Sequence, residues 1–126
     1  MSAAPDLEAE DEAAAFLAHL FTGAGGRFAL VSRATGRRIE YRLVRRPGLG
    51  ATVRQRNPRR ALGIVGPEGF RASASARDTV EAKAIGWFWA RLSAGRIPDE
   101  VEALPIHEGG GERRYRRRGP AAQRVA

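Results

Sequence analysis

Apolar positions along this chain change period several times, and each change marks an element. Phe16, Leu17, Leu20 and Phe21 recur at helical spacing, acids crowd the first turn and Gly23 offers a stop, so a short amphipathic helix is expected over residues 11–21. Residues 27–32 and 38–44 then alternate as strands, joined by a turn in which Gly36 supplies a positive φ. In the second strand Ile39, Tyr41 and Leu43 share the core face, while Arg38, Glu40 and Arg42 share a wet, basic one. Residues 51–60 read as a polar loop around Asn57-Pro58, with room for a short strand only at Thr52-Val53. A second hairpin follows, residues 61–65 and 70–73 flanking Gly66-Pro67-Glu68-Gly69.

The run Asp78-Thr79-Val80-Glu81 has the form of a capping box and opens the main helix, expected over residues 79–93 with Gly95 closing it. Ile85, Phe88, Trp89 and Leu92 form its core stripe. Trp87 falls off that stripe, which leaves it either packed against a second element or exposed as an anchor. Residues 98–102 read as an acidic turn and residues 104–106 as a last extended segment. The expected fold is α+β: a small antiparallel sheet of three to four strands packed by one main C-terminal helix, with a short N-terminal helix. Residues 1–10 are expected to be a disordered acidic tail, residues 11–108 a single domain, and residues 109–126 a disordered basic tail.

Length agrees with one domain, since 126 residues leave no space for two cores. Many of the apolar residues are Ala and only 7% of residues are aromatic, so the core is modest. With no cysteine the chain has neither disulfides nor thiolate metal sites, which suits a reducing compartment. The N-terminus lacks a signal-peptide pattern, and no apolar run reaches the roughly 18 residues that span a bilayer. A cytoplasmic location, with no membrane partner, is the expectation.

Charge alters the picture more than composition does. The formal net charge is +8, and it is segregated: residues 1–26 carry −5, 27–77 carry +11, 78–108 carry −3 and 109–126 carry +5. Of the 22 cations 21 are Arg, a bias that a GC-rich genome supplies unaided, so the clustering carries the information. It concentrates on Arg38 and Arg42 of the second strand, on Arg45, Arg46, Arg54, Arg56, Arg59 and Arg60 after it, and on Arg113, Arg114 and Tyr115 in the tail. Guanidinium groups in such numbers, with Trp87 and Tyr115 as aromatic support, could track a phosphate backbone. Catalysis has thin support: His19 stands without a partner motif, and His107, Glu108, Asp99, Glu100 and Glu102 lie in a turn near a tail rather than on converging rigid elements. The glycine runs at residues 23–26 and 109–111 lack the Lys-Ser/Thr of a phosphate loop, and no metal or other cofactor is expected.

The order of motifs, from the run Phe28 to Arg42 through Leu62-Gly63-Ile64, Phe70-Arg71, residues 84–89, Ile97-Pro98-Asp99 and His107-Glu108-Gly109, resembles a group of small phage and prophage proteins of unknown function that carry a C-terminal zinc knuckle. The resemblance spans residues 26–109. The knuckle cysteines are absent here, so a zinc site is not implied. What the resemblance implies is a mobile-element origin and, with it, a bacterial host cell. Together with the Arg clusters it leads to the expectation of a non-enzymatic binder of DNA or RNA. The alternative is a protein-binding inhibitor of a host nucleic-acid machine, for example an anti-CRISPR protein. Oligomeric state is left open.

Overall fold

The structure, a computed structural model, describes residues 3–21, 26–48 and 50–107, with the side chains of residues 3–10 left out. Among the described residues eight elements follow one another: α1 (Ala3–Leu20), β1 (Arg27–Ser32), β2 (Arg38–Arg45), β3 (Ala51–Gln55), β4 (Arg60–Gly66), β5 (Gly69–Ala72), α2 (Val80–Ser93) and β6 (Val101–Ile106). All six strands join one antiparallel sheet in the order β5-β4-β3-β2-β1-β6. Both helices pack on the face that carries Phe28 and Tyr41, and no described element covers the other, which is called the open face.

This corrects the expected sheet of three to four strands. Residues 51–55, read as loop, are the five-residue strand β3, with Ala51, Val53 and Gln55 buried and Thr52 and Arg54 on the open face. Its polar composition hid the alternation because Gln55 occupies an inward position, where its Nε2 donates to the Asn57 carbonyl at 2.9 Å and its Oε1 accepts from Arg60 Nε at 3.0 Å. The acidic turn and last extended segment are together β6, which pairs with β1 from Arg27↔Ile106 to Ser32↔Val101. Pro105 interrupted the pattern, yet it costs nothing on an edge strand, where alternate N–H groups point away from the sheet.

The N-terminal helix is not short either. It runs 18 residues from Ala3, so most of the segment expected to be a tail is helical, consistent with its Ala and Glu content and with carboxylates in its first turns. The expected basic tail, with Arg113, Arg114 and Tyr115, lies outside the described residues.

Both hairpins stand where the pattern put them. In the first, Gly36 at φ 76° donates its N–H to the Ser32 carbonyl at 2.8 Å, closing the turn on β2. In β4 the register shifts between Gly63, opposite Val53, and Ala61, opposite Arg54. Leu62 is the extra residue of this bulge. It lets Leu62 and Val65, three apart and so on opposite faces of a regular strand, both be fully buried.

The start of α2 departs from the capping box by one residue. Thr79, not Asp78, is the N-cap, its Oγ1 accepting from Ala82 N–H at 3.1 Å, and Glu81 is released for another role. At the far end Gly95 N–H bonds Leu92 O and Arg96 N–H bonds Arg91 O, a Schellman closure with Gly95 at φ 91°. Fourteen residues at 1.5 Å make a helix of about 21 Å, against about 24 Å for five strand spacings. So α2 can carry the chain from the β5 edge across the sheet, and residues 94–100 complete the passage to β6. The core beneath is an aromatic cluster: Phe16 meets Phe28 and Phe88 edge-on at 5.4 and 5.8 Å, and Phe28 stacks on Tyr41 at 5.3 Å. Such pairs contribute about 0.5–1.5 kcal/mol each beyond burial.

Candidate nucleic-acid interface

The open face is built by strand register. Arg27 of β1 stands opposite Arg42 of β2, and Arg42 opposite Arg54 of β3, so three arginines form one cross-strand row. Two strand spacings give it a length of roughly 10 Å. Like charges directly opposite one another destabilise an antiparallel pair, so the row costs the fold something. Arg42 and Arg54 form no ion pair among the described residues. The next row toward the β3–β4 turn holds Glu40, opposite Ala29, and Arg56 binds Glu40's backbone carbonyl through its own N–H at 3.0 Å.

Glu40 is flanked by two guanidinium groups. Arg38 Nε donates to Oε2 at 3.1 Å and Arg56 Nη1 to Oε1 at 2.9 Å. Partial burial pushes its carboxyl up, but the hydrogen bonds and charges of Arg56 and Arg38 outweigh this and hold it below the ordinary glutamate value. Two concavities, each about 410 Å³, lie beside it. One is lined by Arg27, Arg42, Val44, Arg54 and Arg59, the other by Arg37, Arg38, Asn57 and Arg59, and Glu40, Gln55 and Arg56 border both.

Of the residues the sequence nominated, Arg38, Arg42, Arg54, Arg56 and Arg59 come together here. Others do not. Arg60 turns to the helix-covered side, where its Nη2 reaches Glu81 Oε1 at 3.3 Å while Arg37 holds Oε2 at 2.9 Å. Glu81 thereby ties the β1–β2 turn and the start of β4 to α2, and its backbone carbonyl accepts the Tyr41 hydroxyl at 3.0 Å. Burial, and then the charge of Glu81, push that phenol well above its ordinary value, so it stays a neutral donor. Arg45 Nη1 donates to the Phe21 carbonyl just past the end of α1, and Arg46 is exposed in the loop after β2.

Trp87 lies on α2, in the helix layer rather than on the open face. It is half-buried against the core, and the Arg91 guanidinium sits 4.5 Å over its ring. Sequence reasoning left out Arg27 and Glu40 as site residues. The alternation that buries Phe28 and Leu30 was the available signal for Arg27, and the wet face of β2 already contained Glu40.

His19 Nε2 lies 2.8 Å from the Arg27 carbonyl and its ring meets His107 edge-on at 5.0 Å. Among the described residues no group of three or more His, Asp or Glu is placed to hold a metal, and no helix is long and apolar enough to cross a membrane. No family model matches the chain, and neither a curated protein nor a solved structure matches it.

Proposed function

We propose that this chain is a non-enzymatic binding protein of mobile-element origin whose open sheet face takes the phosphate backbone of a nucleic acid. The observation that carries the reading is the row Arg27–Arg42–Arg54, flanked by Arg56 and Arg59. Arg42 and Arg54 face each other directly without an ion pair among the described residues, a like-charge contact that weakens the sheet and is explained if a polyanion neutralises it. No aromatic side chain lies on the open face among the described residues, so contact there is with phosphates rather than stacked bases, and it is sequence-tolerant.

Fluorescence anisotropy against labelled single-stranded DNA, duplex DNA and RNA at two salt concentrations tests this. Sub-micromolar, salt-steep binding to at least one of them is expected. The double variant Arg42→Glu/Arg54→Glu should weaken it by on the order of 100-fold and flatten the salt slope by roughly two. Its melting temperature should hold, since neither the Arg42 nor the Arg54 side chain makes an ion pair or a side-chain hydrogen bond among the described residues. Unchanged affinity in the double variant removes the site.

A second reading has its own support. Glu12 and Glu102, with Arg33 as the one cation among its lining residues, border a concavity of about 400 Å³ between α1 and β6 that also exposes apolar surface of Leu104 and Ile97, with Asp99 and Glu100 exposed nearby. That side fits a basic protein, as an inhibitor of a host nucleic-acid machine such as an anti-CRISPR protein requires. Purified protein free of nucleic acid, together with recovery of one defined host complex that Glu102→Arg abolishes, would favour it.

A further inference from the structure

Glu40 poses a problem for a phosphate-binding face, because it is a carboxylate in the middle of it. Its two oxygens take one guanidinium each, from Arg38 on its own strand and from Arg56 at the start of the β3–β4 turn. Carboxylate and phosphate present similar oxygen pairs to an Arg fork, so whatever holds one can hold the other. The backbone of Glu40 is fixed in β2 between β1 and β3, so its short side chain cannot carry the carboxylate away from this face. The two arginines can: their side chains are 47% and 63% exposed, against 24% for Glu40, and their long stems allow the guanidinium groups to swing toward solvent.

Resting on the reading above, we propose that Glu40 is a built-in counterion that occupies a phosphate subsite, and that a nucleic-acid phosphate binds by taking Arg38 and Arg56 from it. The exchange needs no covalent step. The guanidinium groups pass from carboxylate to phosphate oxygens, and Glu40 is left beside a second anion without its partners. That residual repulsion lowers affinity for every ligand, but a ligand anchored at the Arg27–Arg42–Arg54 row offsets it with contacts that a single small anion lacks. Glu40 therefore acts as a specificity residue, selecting polyanions of adjacent phosphates over isolated phosphate or carboxylate groups.

The test compares wild type with Glu40→Gln, which keeps shape and removes charge, using the labelled nucleic acid that wild type binds best. Affinity should rise on the order of tenfold at low salt, as a like-charge contact is removed. The salt slope should steepen by roughly one to two, as Arg38 and Arg56 become full contributors. Inorganic phosphate should compete against E40Q at lower concentration than against wild type. Arg38→Ala should cost more affinity in the E40Q background than in wild type, a coupling that a purely structural Glu40 would not produce.

Thermal melting of each variant confirms that folded protein is compared. Weaker binding by E40Q would mean that Glu40 aims the arginines, and equal affinity with an equal slope would mean that it plays no part; either overturns the proposal while leaving the proposed function standing. If neither protein binds any nucleic acid, the function and this inference fall together.

Discussion

Glu40 is under opposed demands, and they should be separable by pH. Its carboxyl is held below the ordinary value in the folded state, so its ionised form stabilises the fold at pH above the unfolded-state value and this contribution is lost as pH falls through the folded one. At neutral pH, E40Q should be less stable than wild type by up to about 1 kcal/mol, as expected for ion pairs whose arginines are largely exposed. Urea unfolding at pH 7 and near pH 3 measures it: the gap should close in acid, and a gap unchanged between the two would mean that the pairs contribute nothing. A residue that steadies the fold while weakening binding is a familiar compromise at functional sites. The sequence put Arg38, Arg42 and Glu40 on one wet face of β2 by alternation alone. It could not show which arginines Glu40 holds, because Arg56 reaches it from a turn 16 positions along the chain.

Among the elements, β5 and α2 are joined through Phe70 and two glycines. An added Cβ at Gly63 would collide with the Arg71 carbonyl oxygen and stand 2.8 Å from the Phe70 ring, and one at Gly86 would stand 3.2 Å from the other side of that ring. Phe70 thus lies between strand and helix because neither glycine has a side chain to keep it out. Gly63→Ala must displace backbone and should cost about 2–3 kcal/mol, as overpacking does. At Gly86→Ala the ring can yield by a few tenths of an ångström, and the better helix propensity of Ala offsets part of the strain, so its cost should fall below 1 kcal/mol or so. Thermal unfolding of the two variants ranks them, and equal costs would contradict the packing. Both glycines are visible in the sequence, but nothing in periodicity couples Gly63 to Gly86. Strands β3 and β6 were lost for a related reason: Gln55 and Pro105 broke patterns that only neighbouring strands and an edge position make tolerable.

At the scale of the molecule, β6 pairs among the described residues only with β1 and covers the edge that Phe28 and Leu30 would otherwise border. Deletion from residue 101 onward should therefore abolish cooperative unfolding rather than trim stability. Circular dichroism melting of that truncation checks it, and a sharp transition near the wild-type temperature would show β6 to be an accessory. The two-signed charge layout was legible from segment counts alone. The assignment of arginines to faces was not, because Arg60 and Arg45 differ from Arg42 and Arg54 only by where a bulge, a turn and a strand end direct them.

The β1–β6 ladder joins residues some 70 to 80 positions apart, since Phe28 lies opposite Pro105. Loop closure over that distance must precede any gain from the pairing, and topologies rich in such contacts fold slowly, in milliseconds to seconds rather than microseconds. During synthesis β1 and β2 emerge well before β6, which pairs with the other edge of β1. Until then that hydrogen-bonding edge is open to any other strand, including the same one on a second nascent chain. The order in which the ribosome delivers the strands thus sets a window for misassembly that the finished sheet no longer reveals.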